Sequence, residues 1–149
     1  MRIYLDNCCY NRPYDEQNQL RIRLETEAKL RIQHLMRIGA VEYAWSDILT
    51  HEISFNPIKK RRQLIFDWRM NAVVDIAAEW DVVLRGKEFQ LLGVKPKDAL
   101  HLASAMKAEC DWFITTDTGI LKEVGNVEGM RVGNPIDFIM TEEDGVLWK

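Results

Sequence analysis

Short apolar segments alternate with stretches of helical periodicity along the whole chain, an arrangement that constrains it to an α/β fold with a mainly parallel central sheet. Strand signals stand at Ile3-Tyr4-Leu5, at the alternating Val41, Tyr43 and Trp45, at Trp112-Phe113-Ile114-Thr115, and at Met130-Arg131-Val132. Ala72-Val73-Val74 fits either a short strand or a connection between helices. Parallel neighbours require crossovers of a dozen or more residues, and the helical stretches supply them.

The punctuation between these segments is specific. A loop runs from Asn7 to Tyr14 and holds Asn11-Arg12-Pro13. Asp15 is expected to cap a long amphipathic helix carrying Leu20, Leu24, Ala28, Leu35 and Ile38, which Gly39 ends. Ser46 suits the N-cap of the helix bearing Glu52. Asn56-Pro57 reads as the start of the next helix, through Leu64, Ile65 and Trp68. A further helix is predicted from Ala77 to Leu92, stopped by Gly93, and Pro96 opens another. That one carries Ala99, Leu100, Leu102, Ala103, Ala105 and Met106 around much of its circumference, so it should pack tightly on the sheet. Asn134-Pro135 precedes a short final helix with Phe138 and Ile139. With no internal repeat, low-complexity stretch or linker, residues 1–149 read as a single domain.

Charged residues interrupt every hydrophobic stretch, so no run suits a membrane span, and the acid at position 6 argues against a signal peptide. Cys8, Cys9 and Cys110 are odd in number and lack a repeated ligand spacing, which disfavours a zinc site or a disulfide scaffold and fits a reducing cytoplasm. A formal charge of -3 disfavours a protein that coats nucleic acid through a large basic surface. It leaves open a nuclease, in which an acidic pocket lowers the net charge.

Four acids carry the functional signal. Asp6 follows the first strand, Glu52 lies on the helix after the second, Asp98 stands in Lys95-Pro96-Lys97-Asp98, and Asp117 follows Phe113-Ile114-Thr115-Thr116. In a parallel α/β sheet such positions converge outside the carboxyl ends of the strands, where these folds bind ligands. Each acid also has a plain structural explanation. Asp6 can start a turn, Asp98 suits the positive end of a helix, Asp117 can cap a helix beginning near Gly119, and Glu52 can be an exposed helical acid. Their shared placement is what separate capping roles would not require. Carboxylates gathered in one place repel unless cations sit between them, and hard divalent ions prefer such oxygen ligands.

This ordered set resembles the PIN-domain family over nearly the whole chain. Leu5-Asp6 is similar to its first-strand acid, and Ser46 with Glu52 to its serine-then-glutamate helix. Asp98-Ala99-Leu100-His101-Leu102-Ala103-Ser104-Ala105 resembles its third acidic motif and Thr115-Thr116-Asp117 its fourth. Val132-Gly133-Asn134-Pro135-Ile136-Asp137-Phe138 resembles its closing strand and helix. The resemblance implies a three-layer α/β/α domain and an endoribonuclease dependent on Mg²⁺ or Mn²⁺. Many small bacterial members are VapC-type toxins held by an antitoxin. Asn7-Cys8-Cys9-Tyr10-Asn11-Arg12-Pro13 departs from the short polar step and apolar residues of many relatives, which bears on substrate choice.

Phosphodiester hydrolysis needs an activated water and neutralised charge at phosphorus, and one or two divalent ions supply both. Asp6 and Asp98 are then expected as primary ligands, with Glu52 and Asp117 completing the site directly or through waters. Asn7, Ser46 and Thr116 are neighbours able to orient a carboxylate or a water, and backbone capping is the competing role for Ser46 and Thr116. His101 lies one turn after Asp98 and reads as a packing or supporting histidine. No histidine–acid constellation makes Cys8 or Cys9 a nucleophile. Arg12 and Lys97 are candidates for RNA-backbone contacts, whereas Lys59-Lys60-Arg61-Arg62 reads better as a solvated helix face.

An aspartyl phosphatase is disfavoured because Cys8 stands where a second acid is wanted, and a Rossmann nucleotide site because no glycine-rich loop follows the first strand. A nuclease acting on single-stranded DNA, and a PIN-fold binding module that cuts nothing, remain alternatives. Leu64, Phe66 and Trp68 in a basic segment suit either a helical-hairpin core or an interaction surface for an antitoxin or a second copy of the chain.

Overall fold

The structure, a computed structural model, describes residues 1–147. Its strands are β1 (Arg2–Leu5), β2 (Glu42–Ser46), β3 (Val74–Ile76), β4 (Trp112–Ile114) and β5 (Arg131–Gly133). They pair in parallel in the order β3-β2-β1-β4-β5, with Tyr4 opposite Ala44 and Leu5 opposite Ile114. Side chains alternate across this sheet. Ile3, Leu5, Tyr43, Trp45, Trp112 and Ile114 enter one apolar layer, and Tyr4, Ala44 and Phe113 the other.

Helices cover both faces, giving the three-layer α/β/α architecture expected from the sequence. The first layer holds α1 (Asn7–Asn11), α2 (Leu20–Arg37), α3 (Asp47–Ser54), α4 (Lys59–Phe66) and α8 (Pro135–Leu147). The second holds α5 (Trp80–Leu91), α6 (Pro96–Lys107) and α7 (Thr118–Glu123). Trp45, Phe113 and Phe138 are fully buried, and truncation of such a side chain costs about 3–5 kcal/mol.

The topology fixes where a ligand can bind. From β1 the chain builds β2 and β3 to one side, then crosses to build β4 and β5 on the other. Strand order therefore reverses between β1 and β4, and the crevice outside their carboxyl ends is the switch point at which open α/β sheets bind ligands.

Several local expectations are corrected. Asn7–Tyr14 is not a loop but α1 followed by a 3-10 turn at Arg12–Tyr14, because Asp6 caps the first turn and Cys9 and Tyr10 bury against the core. Asp15 does not cap α2. It closes the 3-10 turn and pairs with Arg12, while α2 starts at Leu20. Asn56 accepts from the Ile58 backbone N–H at 3.1 Å, forming a turn that delays α4 to Lys59. The chain from Ala77 is not yet helical, since Asp47 holds the Ala78 N–H at 2.9 Å and α5 begins only at Trp80. Val74–Ile76 is a strand, and the final helix is long rather than short. Gly39 does end α2, in the left-handed conformation (φ 74°) that a side chain would strain.

Candidate metal centre

Asp6 leaves β1 at the switch point, 5% exposed and in extended backbone that lets it cap α1. Its Oδ1 accepts from the Asn7 N–H at 2.8 Å, and its Oδ2 from Thr115 Oγ1 at 2.9 Å and the Cys8 thiol at 3.4 Å. Ser46 caps α3, its Oγ accepting from the Leu49 N–H at 3.2 Å, so the last turn of that helix delivers Glu52 to the same place. The Glu52 carboxylate meets His101 Nε2 and, at 3.5 Å, the Asn7 amide. Asp6, Glu52 and His101 each offer a ligand atom within 4.8 Å of the others.

Pro96 opens α6 and places Asp98 in its first turn; Asp117 caps α7, with Oδ1 accepting from Gly119 N at 2.8 Å and Ile120 N at 3.3 Å. Asp98 and Asp117 line one cavity together with Lys95 and Glu123. Burial, then the charges of Asp6 and Asp117, push the Asp98 carboxyl up from 3.8 to about 6, with Glu52 adding and His101 opposing. Asp98 thus lies close enough to feel the charges of Asp6, Asp117 and Glu52.

Around His101, burial works against the imidazolium, but Asp6, Glu52 and Asp98 together raise its pKa above the usual value. Burial likewise disfavours the Glu52 carboxylate, yet the hydrogen bond and charge of His101, with Lys97 and Asn7, hold its pKa below the ordinary one. The donors are mainly hard carboxylate oxygens, and after burial the charges of Asp6 and Asp117 are the next causes of the rise at Asp98. Such a set fits Mg²⁺ or Mn²⁺.

Other sequence-derived candidates divide. Asn7 touches Glu52, and Lys97 is exposed near it, its amino group 6.0 Å from the centre of the Phe55 ring. Thr116 does not reach a carboxylate through the bonds it makes: its N–H donates to Cys8 Sγ and its carbonyl accepts from Arg21 at 3.0 Å. The neighbouring Thr115 is the residue on Asp6, because Leu5 pairs with Ile114 and so sets Asp6 beside Thr115. Among the described residues, Ser46 reaches Glu52 through Tyr4 and His101. Arg12 is turned inward, its side chain 17% exposed and ion-paired with Asp15 at 2.9 Å and the wholly buried Glu25 at 3.2 Å. That commitment removes it from the cations free to hold a phosphate. Arg21 is half-exposed and also pairs with Glu25, at 3.5 Å, while donating to the Thr116 carbonyl at 3.0 Å.

Among the described residues, no helix is long and apolar enough to cross a membrane. Phe66 and Trp68 pack against the core, while Leu64 stays exposed.

No family model and no curated protein matches the chain. Solved structures do. One is a chain of VapBC2 from Rickettsia felis bound to a DNA fragment from their promoter, with a TM-score of 0.57 and 14% identity, covering 90% of this chain and 98% of that one. Another is a chain of the DNA-bound VapBC from Salmonella typhimurium, with a TM-score of 0.56 and 12% identity, covering 91% and 98%. At such identity the likeness carries the fold, and the fold is the one the PIN-domain resemblance implied.

Proposed function

We propose that this protein is a divalent-metal-dependent endoribonuclease, with Asp6, Glu52, Asp98 and Asp117 as its metal-binding and catalytic carboxylates. The reading rests above all on the placement of these acids around the switch point, where burial first and then the charges of Asp6 and Asp117 raise the pKa of Asp98. A bound Mg²⁺ or Mn²⁺ lowers the pKa of a coordinated water and neutralises charge at phosphorus. Asp6, gripped by Thr115, Cys8 and Asn7, has few alternative orientations and is pre-organised as a ligand. Asp117 commits one oxygen to α7 and leaves the other for the ion or its water. Lys97, exposed and close enough to Glu52 to lower its pKa, is the cation suited to hold the substrate's phosphates outside the acidic centre.

The two structures named above are VapBC assemblies, which supports a toxin role for this chain with a protein antitoxin as partner. An antitoxin arginine could pair bidentately with the carboxylates and compete with the metal. Exposed apolar side chains such as Leu20, Leu24 and Met140 suit pairing of two copies of the chain, which light scattering would detect.

Purified protein incubated with matched single-stranded RNA and DNA tests the activity. The expected result is cleavage of RNA with Mn²⁺ and none with chelator or after Asp6→Asn. Metal-independent cleavage, or cleavage retained by Asp6→Asn, would overturn the mechanism. Cutting of DNA alone would reassign the substrate.

A further inference from the structure

A buried hydrogen-bond chain links the site to a helix cap. Leu49 N–H donates to Ser46 Oγ at 3.2 Å, Ser46 Oγ lies 2.6 Å from the Tyr4 hydroxyl, and that hydroxyl lies 2.6 Å from His101 Nδ1. His101 Nε2 then meets Glu52 Oε1. Ser46, Tyr4 and His101 are all fully buried.

The protons in this chain can be placed by satisfaction alone. A close contact between Nε2 and a carboxylate oxygen requires a proton between them, since otherwise two lone pairs face each other. Nε2 therefore carries a hydrogen, whether the ring is neutral or charged, and donates to Glu52. At the other end, the Leu49 N–H takes a lone pair of Ser46 Oγ, which leaves the serine proton to be given away. Among the described residues its acceptor is Tyr4. With the ring neutral, Tyr4 then donates to Nδ1 and every hydrogen has a partner. The reverse direction would strand the Ser46 proton in a fully buried place, at a cost of about 1–3 kcal/mol.

The sequence positions give the chain its purpose. Tyr4 lies on β1 two residues before Asp6, Ser46 caps the start of α3 while Glu52 lies in its last turn, and His101 is one turn after Asp98 on α6. One relay ties together the three elements that carry three of the acids.

We propose that Ser46, Tyr4 and His101 form a positioning relay that aims Glu52, and that His101 is a hydrogen-bond donor to this carboxylate rather than a metal ligand. This rests on the metal-site reading above and deepens it. His101 has the reach of a ligand, within 4.8 Å of the Asp6 and Glu52 ligand atoms, so the distinction is a real one. Outer partners of this kind cost 10–100-fold in metal affinity or activity when removed. Tyr4→Phe deletes one hydroxyl yet keeps the ring stacked on Phe113, 5.4 Å between centroids.

Two measurements test the relay. Nitrogen NMR of the metal-free protein at alkaline pH, where the ring is neutral, should find the His101 proton on Nε2 and an unprotonated Nδ1. Proton on Nδ1 instead would overturn the relay, and this readout stands even if the protein binds no metal. Pulsed EPR of the Mn²⁺-loaded protein should show no directly coordinated imidazole nitrogen; a strong coupling lost in His101→Gln would make His101 a ligand and refute the proposal. Tyr4→Phe should weaken Mn²⁺ binding about tenfold and lower the melting temperature, because the buried Ser46 proton loses its acceptor. His101→Gln, which keeps an N–H donor toward Glu52, should retain more affinity than His101→Ala. Equal losses in the two His101 variants would refute positioning. Failure of Mn²⁺ to bind the wild type would sink the metal reading alone, with the proton on Nε2 still sustaining the relay.

Discussion

Replacing Asp98 by asparagine should make the metal-free protein more stable at neutral pH. The Asp98 carboxyl rises from 3.8 to about 6, a shift of about two units. At 1.36 kcal/mol per unit the ceiling is about 3 kcal/mol. Asp98 is only half-buried, so solvent screening brings the value to about 1.5 kcal/mol. Asparagine also loses the favourable charge at the start of α6, worth about 0.3–1 kcal/mol, which leaves a net gain of about 1 kcal/mol. The sign follows from proton release. As pH rises from 3.8, the unfolded chain ionises first while the folded protein holds its proton to about 6, so stability falls across this window and stays lower above it. Asp98→Asn removes that fall. Melting curves without metal should show the variant about 2–4 °C above wild type at pH 7.5, with the difference gone or reversed near pH 4. Excess Mn²⁺ should raise wild type above the variant. A variant less stable than wild type at pH 7.5 without metal would refute the claim that burial and the neighbouring acids hold the ionised Asp98 at a cost to the fold.

Arg12→Ala should cost about 3 kcal/mol, because the wholly buried Glu25 loses its nearest ion-pair partner, and chemical denaturation of the variant measures this. A loss within 0.5 kcal/mol would restore Arg12 as a cation free for RNA (surface changes stay within about that range). Lys97→Ala should weaken RNA binding across all sequences and lower the salt slope by about 0.7, which filter binding at several salt concentrations reads; an unchanged slope would remove Lys97 from the RNA path. Thr115→Val should lower cleavage about tenfold or more by freeing Asp6, whereas Thr116→Val should leave it near wild type.

The parallel α/β sheet was legible in the sequence because strands such as β1 and β2 end at Asp6 and Ser46, residues with a strong capping preference, whereas β3 runs into Ala77-Ala78 and gave no such signal. What stayed hidden depended on register and on distant partners. Thr115 and Thr116 are adjacent and chemically alike, and only the pairing of Leu5 with Ile114 decides which one meets Asp6. Arg12 looked like a phosphate contact from its place beside Asp6, but its partner Glu25 lies on the next helix and is invisible to local spacing. His101 gave a single signal, one helical turn after Asp98. Its link to Ser46 needed Tyr4, a residue on a central strand that reads only as core. Asp15 and Asn56 failed as helix starts for a related reason: each found a closer turn or ion pair that satisfied its side chain first.

Titration calorimetry of Mn²⁺ into the purified protein, wild type beside Asp6→Asn, tests the shared metal site most directly. Asp6 is the most buried of the four acids and sits where strand order reverses. The predicted result is saturable binding to wild type, accompanied by proton release at pH 6 as Asp98 gives up its proton, and loss of both in Asp6→Asn. Equal binding by the two proteins, or none by either, would contradict a metal centre built from these acids.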